Sequence, residues 1–370
     1  MHIVQCLTHS GIGGGQQIIF TLVKALTKHY PDIRITVVLP PNGIYIERFS
    51  SLQTEVIAFP LDRLSSHNVI KIANLFQQLA PDIIHSHGKG AGFYSRIIPH
   101  SLVSAKRVYS YHGFHPPQER IKRNVYLTVE QFLLLQTDHL VMVSENEAKE
   151  IKETFSVDRS NMSVIPNVIE CPQRGQGKVD SGNTTLQLFL SLNPDAFRLC
   201  IIGRNDPVKN FSLAFQTMRY LIEVRKKNVT LIVIGLSSSD IELRQMLEQY
   251  PNNIFSVEQM EDITPVLSLS DALLITSKKE GSPLVVLEAM CCGKPVVGTN
   301  VAGIKDLVTD GMNGVLCAQH HTALADGITS LMTNKPYYQY LSRNAYDVGL
   351  SMDTRVWAGQ YYNVYKGLLH

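Results

Sequence analysis

Lys279-Glu-Gly-Ser-Pro-Leu-Val-Val-Leu-Glu-Ala-Met-Cys-Cys-Gly-Lys-Pro-Val-Val297 reads as a loop, a short helix and the opening of a strand. Ser282 carries the side-chain oxygen that satisfies a free N–H at a helix start, and Pro283, which has no N–H, suits the first helical position. Gly293 and Pro295 then stop the helix. Glu280 therefore falls on the loop ahead of the helix, and Glu288 rides the helix more than one turn in. The free N–H groups of Leu284 and Val285 point back toward that loop, where they and the helix dipole attract a phosphate. An anion flanked by two carboxylates points to a sugar phosphate, with one glutamate for sugar hydroxyls and the other for the ribose of a nucleotide.

Strand-like and helix-like runs alternate outward from this stretch in both directions, so the fold class is α/β with parallel sheets covered by helices. In the first half the expected strands are Ile3–Leu7, Ile35–Leu39, Ile83–His85, Arg107–Tyr111 and His139–Ser144, with helical periodicity over Gln17–Tyr30 and Val69–Leu79. The stretch Cys171–Thr184, rich in Gly, Gln, Ser, Asp and Lys, marks a linker. After it come Phe197–Gly203, Thr230–Gly235, Ile254–Val257, Ala272–Thr276 and Val296–Gly298. Each half is large enough for a Rossmann-like domain with its own core. The expected division is 1–169 and 170–350, with a last amphipathic helix over 351–370, capped at Ser351 or Asp353. Trp357, Tyr361 and Tyr365 recur on that helix every four residues and form a packing stripe.

Composition narrows the function classes. With 370 residues, 44% hydrophobic and 18% charged, the chain is that of a globular protein of two domains. A formal net charge of +2 without a basic run argues against nucleic acid as a partner. Lys106, Arg107, Arg120, Lys122 and Arg123 do cluster, which suits an anionic membrane surface. No apolar stretch is long enough to span a bilayer, and the chain opens directly on a buried strand without a signal-like segment. The expected location is cytoplasmic, with peripheral contact to the inner face of the membrane. Six cysteines, none in a Cys-x-x-Cys spacing, read as reduced core and helix residues.

Gly11-Ile-Gly-Gly-Gly15 follows the first strand and precedes a helix expected to begin near Gln16 or Gln17, so Gly13, Gly14 and Gly15 can bring backbone N–H groups close to an anion. A nicotinamide enzyme fits poorly. Gln16 stands where the third glycine of G-x-G-x-x-G belongs, and the second strand ends without an acidic residue for a ribose. Pro81-Asp-Ile-Ile-His-Ser-His87 and Tyr109-Ser-Tyr-His-Gly113 place histidines at strand ends. His85 reads as a hydrogen-bonded strand-end residue. His85, His87, His112 and His115 lack a carboxylate or cysteine to complete a metal spacing, and no metal is expected.

The segment from Glu280 to Glu288 resembles the E-x7-E signature of retaining glycosyltransferases of the GT-B fold, in particular glycosyltransferase family 4. The resemblance continues through Pro295-Val-Val-Gly-Thr299, Val301-Ala-Gly303 and Thr309-Asp-Gly-Met-Asn-Gly-Val-Leu316, and through Gly203-Arg204 and Lys209-Asn210. It implies two Rossmann-like domains facing each other across a cleft, with the C-terminal helix crossing back to the N-terminal domain. It also implies transfer of a hexose-type sugar from a nucleoside diphosphate sugar, UDP-linked by expectation, to a saccharide or lipid-linked glycan in cell-surface polysaccharide or lipopolysaccharide synthesis. No cofactor or metal is implied.

Carried over residue by residue, the donor would bind Gly203, Arg204, Lys209, Asn210, Glu280, Ser282, Leu284, Val285 and Glu288. Arg204 and Lys209 would meet the charge that grows on the departing diphosphate. His112 would sit against the donor sugar, Gly113 would leave it room, and Glu280, His112, Arg204 and Lys209 form the expected catalytic set. Ser144 and Asn167 match family positions in the hinge and cleft wall. The chain departs from the family at Gln17, where an acidic residue is common, and at Leu236-Ser-Ser-Ser239, where an acidic residue and a glycine usually follow Gly235. A nucleotide-sugar epimerase or hydrolase on the same fold, or a catalytically silent partner subunit, stays as an alternative.

Overall fold

The computed structural model describes residues 1–155, 157, 159–171 and 184–370. Most of the expected linker lies outside these residues. The chain divides into two compact units, Met1–Val168 together with Asp353–His370, and Ile169–Met352.

The first unit is built on seven parallel strands, β1 (His2–Leu7), β2 (Arg34–Leu39), β3 (Glu55–Ala58), β4 (Ile83–His87), β5 (Lys106–Ser110), β6 (His139–Met142) and β7 (Met162–Val164), in the order β3-β2-β1-β4-β5-β6-β7. Burial on both faces explains the nearly continuous apolar runs of β1 and β2, interrupted only by the buried Gln5 and Thr36. β3 and β7 escape the sequence reading because both are short edge strands with half-exposed residues. The terminal helix Thr354–Gly367 is capped by Asp353, whose carboxylate accepts from the N–H groups of Arg355 and Val356 at 2.7 and 3.2 Å. Trp357, Tyr361 and Tyr365 are buried, and the helix packs on Gly14–His29, with Tyr362 stacked on Tyr30 at 4.2 Å between ring centres.

The second unit has six parallel strands, β8 (Phe197–Ile202), β9 (Val229–Ile234), β10 (Ile254–Val257), β11 (Ala272–Ile275), β12 (Val296–Thr299) and β13 (Gly314–Cys317), in the order β10-β9-β8-β11-β12-β13. β13 is the strand the sequence reading misses. The Thr309–Leu316 motif leads into this strand and overlaps it, and its side chains hold the turn: Asn313 accepts from the N–H of Thr309 at 2.7 Å, and Asp310 accepts from the N–H of Leu316 at 2.8 Å. One cysteine expectation fails. Cys171 and Cys291 form a disulfide with Cα atoms 5.3 Å apart, while Cys6, Cys200, Cys292 and Cys317 are free thiols. The pairing joins residues 120 apart in sequence, a proximity that spacing alone does not reveal.

Basic residues also sort differently from the expectation. Arg107 is fully buried on β5, donating to the carbonyls of Ser95 and Val103, and Lys106 pairs with Asp138 at 3.0 Å. Arg107 is thus no part of an exposed patch, and the partly exposed Lys106 is held to Asp138 at the start of the strand. Arg120, Lys122 and Arg123 do lie exposed at the start of the helix Arg120–Leu134. That helix is anchored by a buried ion pair: Glu130 meets Arg96 at 2.7 Å and accepts from the Tyr111 hydroxyl at 2.9 Å. Its other side leaves Ile121, Val125, Val129 and Phe132 exposed.

Candidate active site

In the second unit, the helix Leu284–Cys291 begins later than the sequence suggests. Pro283, in extended backbone, is the N-cap, and Ser282 does not cap through its side chain. The first helix-type backbone bond runs from Val286 to the Pro283 carbonyl at 3.1 Å. Leu284 and Val285 hold the two N–H groups ahead of it, at the positive end of the helix.

Glu280 lies on the preceding loop, and one carboxylate oxygen, Oε1, receives Lys209 Nζ at 2.7 Å and the Ser277 hydroxyl at 2.5 Å. Three further contacts hold this loop. The Glu280 N–H donates to the Ala302 carbonyl at 3.2 Å, and the Ser277 carbonyl accepts from Thr299 at 2.6 Å and from Gln319 at 3.1 Å. Gly303 has φ +81°, and a Cβ there would strike the backbone carbonyls of Glu280 and Gly281. Sequence reading marked Gly303 only as part of a motif. Ser277 and Gln319 carried no signal at all, since their role depends on loops that meet in space.

Lys209 comes off the short turn after β8. The Arg204 carbonyl accepts from Asp206 at 2.8 Å, the Lys209 N–H donates to the Asp206 carbonyl at 2.8 Å, and the Lys209 carbonyl accepts from Thr276. Asn210 follows in left-handed backbone at φ +53° and serves as N-cap of the helix Phe211–Arg219. Arg204 is exposed, with no acidic partner among the described residues. Gly203 and Gly235 make a close backbone approach: Gly235 has φ +99°, and a Cβ on it would collide with the Gly203 carbonyl. That collision explains the glycine at 235 without a ligand.

Glu288 is half-buried on the helix. Burial, reinforced by the nearby Asp262 carboxylate, pushes its carboxyl up to about 7. Where the family carries an acidic residue after Gly235, Asp240 instead caps the helix Ile241–Gln249 by accepting from Leu243 at 2.9 Å.

The first unit gathers the histidines at the carboxyl ends of β4 and β5. His112 has φ +53°, and the next N–H, on Gly113, donates to Glu147 at 2.6 Å while the other oxygen of Glu147 accepts from Val143 at 2.8 Å. His87 Nδ1 lies 2.9 Å from His112 Nε2, and His85 is bound by Ser110 and Tyr365. Among the described residues no group of three or more His, Cys, Asp or Glu side chains could hold a metal ion. Ser144 accepts from the Glu147 N–H at 3.2 Å at the start of the helix Glu145–Phe155, and Asn167 is buried at the end of the first unit.

Gly13, Gly14 and Gly15 are also placed differently from the reading. The helix already begins at Gly14, with Gly13 as N-cap in extended backbone, so the glycines form a first turn rather than a loop before it. Gln17 Oε1 accepts from the Tyr45 hydroxyl at 2.7 Å and from Arg48 at 3.4 Å.

The family model "Glycosyl transferases group 1" matches residues 187–348, and the model "Glycosyltransferase Family 4" matches residues 12–172. A curated relative from Actinosynnema mirum, D-inositol 3-phosphate glycosyltransferase, is 24% identical, with 93% of this chain and 86% of the relative covered. UDP-Gal:alpha-D-GlcNAc-diphosphoundecaprenol alpha-1,3-galactosyltransferase from Escherichia coli is 27% identical over 67% of this chain and 65% of its own. Several further curated relatives align over about half to two thirds of their own length. Among solved structures, the Anabaena protein HepE in complex with UDP shares the fold with a TM-score of 0.80 at 19% identity, covering 99% of this chain and 100% of that one.

Proposed function

We propose that the chain, whose two halves match glycosyltransferase family models, is a GT-B glycosyltransferase of the family 4 type that moves a hexose-type sugar from a UDP-sugar to a saccharide or lipid-linked glycan with retention of configuration. The observation that carries this reading is the Lys209–Glu280–Ser277 contact directly ahead of the Leu284–Cys291 helix start. Lys209 and Arg204 are the cations for the departing diphosphate, and the N–H groups of Leu284 and Val285 add fixed dipoles. Glu280 has a second oxygen for sugar hydroxyls, and Glu288 holds the ribose. His112, in the first unit, is a further candidate for hydrogen bonding to a substrate hydroxyl. No side chain among the described residues stands as an evident nucleophile, so the donor's own phosphate takes the proton of the incoming hydroxyl, and attack on the face the leaving group vacates preserves the anomeric configuration; a double displacement through Glu280 is the less favoured route.

The E. coli relative, named for a UDP-galactose donor and a diphosphoundecaprenol acceptor, supports a lipid-linked acceptor and a role in cell-surface glycan synthesis. The helix Arg120–Leu134 supports peripheral contact with an anionic bilayer, since exposed Ile121, Val125, Val129 and Phe132 share it with Arg120, Lys122 and Arg123. No helix among the described residues is long and apolar enough to cross a membrane.

The test is a panel of UDP-, GDP- and ADP-sugars scored first by thermal stabilisation and then by nucleotide release with and without saccharide and polyprenyl-diphosphate sugar acceptors. A ligand at a hundred times its Kd stabilises by about 2.7 kcal/mol. Acceptor-dependent release of UDP is the expected result, and equal release without acceptor favours a hydrolase or epimerase.

A further inference from the structure

Six side chains of the first unit form one unbroken hydrogen-bonded line. Ser110 Oγ lies 2.8 Å from His85 Nε2, and His85 Nδ1 lies 2.7 Å from the Tyr365 hydroxyl. Gln5 Nε2 donates to that hydroxyl at 3.1 Å, Gln5 Oε1 lies 2.8 Å from His87 Nε2, and His87 Nδ1 lies 2.9 Å from His112 Nε2. The line ends at His112 Nδ1, which is buried and has no hydrogen-bonding partner among the described residues.

From Gln5 to His112 the polarity of the line is all-or-none, while the Tyr365 hydroxyl can both accept from Gln5 and donate to His85. A neutral imidazole donates from one nitrogen and accepts at the other, and the amide of Gln5 donates on one side and accepts on the other. With the Gln5 nitrogen toward Tyr365, Tyr365 donates to His85 and His85 to Ser110. On the other side His87 Nε2–H donates to Gln5, so its Nδ1 accepts from His112 Nε2–H. His112 Nδ1 is then left as a lone pair. Turning the amide over reverses every bond from Gln5 to His112 and makes His112 Nδ1 a donor. Burial supports neutrality throughout: it holds His85 and His87 well below the ordinary histidine range and His112 down to about 4.

We propose that Gln5, His87 and Tyr365 are positioning residues that lock His112 in the Nε2–H tautomer, so that its Nδ1 accepts a hydrogen bond from a substrate hydroxyl. This rests on the proposed sugar-transfer reading only for what His112 meets; the tautomer itself is a property of the unliganded chain. Tyr365 lies on the terminal helix, 360 residues from Gln5 and 280 from His85, so the helix supplies chemistry as well as packing. Its hydroxyl is the one group that satisfies Gln5 and His85 together. Without it the Gln5 amide is free to turn.

Histidine-15N-labelled full-length protein, read by long-range proton–nitrogen correlation near pH 7.5, shows directly which imidazole nitrogen carries the proton. His112 is assigned by the signal missing in His112→Gln. The expected result is a single Nε2–H form of His112, replaced by a mixture of tautomers in Tyr365→Phe and unchanged in Tyr361→Phe, whose ring is equally buried but lies outside the line. Gln5→Met cuts the same line and carries the test if Tyr365→Phe does not fold. In the acceptor-dependent assay, Tyr365→Phe lowers kcat about tenfold, the value of one hydrogen bond, with KM for the donor little changed. An Nδ1-protonated His112 in the unsubstituted protein, or a His112 spectrum unmoved by both cuts, overturns the proposal. Tautomer changes in a protein that transfers no sugar uphold the line and remove the transfer reading instead.

Discussion

Lys209 Nζ lies 2.7 Å from Oε1 of Glu280, joining residues 71 apart at the turn after β8 and the loop before the Leu284–Cys291 helix. Both side chains are mostly shielded, at 26% and 11% exposure, so the pair is worth more than an exposed one. On the proposed function, a diphosphate entering this place would compete with Glu280 for Lys209. Glu280→Gln therefore leaves Lys209 freer and binds UDP at least as tightly as the unsubstituted protein, while turnover falls. Lys209→Ala lowers kcat on the order of a hundredfold. Calorimetric titration with UDP alongside steady-state turnover checks both, and weaker UDP binding by Glu280→Gln contradicts the competition.

Glu288→Ala is expected to lose nucleotide affinity first, in contrast to Glu280. Because the Glu288 carboxyl is raised to about 7 and an ionised carboxylate accepts from hydroxyls more strongly than a protonated one, UDP affinity should climb between pH 6 and about 8 as the proton leaves. Glu288→Gln should flatten that climb. Titrations in matched buffers at several pH values settle it.

Gly303→Ala should reach Glu280 through the backbone. A Cβ there meets the Glu280 and Gly281 carbonyls, and the left-handed φ is itself unfavourable for alanine. A loss of roughly 1–3 kcal/mol in stability is expected, with turnover reduced more than UDP affinity. Urea unfolding and kinetics on the same preparation measure the two effects.

Acid should destabilise the first unit earlier than carboxylate chemistry alone dictates. His85, His87 and His112 are held neutral when folded, below the ordinary value of 6.5, so the unfolded chain takes up their protons first. Their contribution is complete above about pH 6.5 and is lost as the pH falls toward 4, the sign required for depressed histidines. The thermal midpoint should drop across that range, and less steeply in His87→Gln.

Vesicle flotation tests the Arg120–Leu134 helix. The protein should rise with vesicles rich in phosphatidylglycerol and stay behind with phosphatidylcholine alone, and high salt should weaken the attachment. Ile121→Asp combined with Phe132→Asp should abolish it without loss of folding, because both residues are exposed.

Local patterns made the layered fold readable. Apolar runs such as Ile3–Leu7 and Thr230–Ile234 must be buried strands whatever surrounds them, and Asp353 announces its helix through one carboxylate. Three of the four edge strands are missed because half-exposed residues carry no such pattern, as Glu55–Ala58 shows, while the fourth, Ile254–Val257, is legible. Ser282 misled for a related reason: serine and proline suit either of two adjacent cap positions, and packing chose the later one. Among the candidate residues, Glu280 and Lys209 of the second unit and His112 of the first stand out by chemistry and context. Ser277, Gln319, Gln5 and Tyr365 did not, since each matters only through a neighbour tens or hundreds of residues away.

The helix Thr354–Gly367 belongs to the unit that β1 begins. A ribosome must therefore make the entire second unit before Trp357, Tyr361 and Tyr365 emerge to finish the first. Until then Gln5 and His85 lack their shared hydroxyl and the face of Gly14–His29 has no cover, so the nascent front half should remain open to proteases and chaperones while the rear half is already closing.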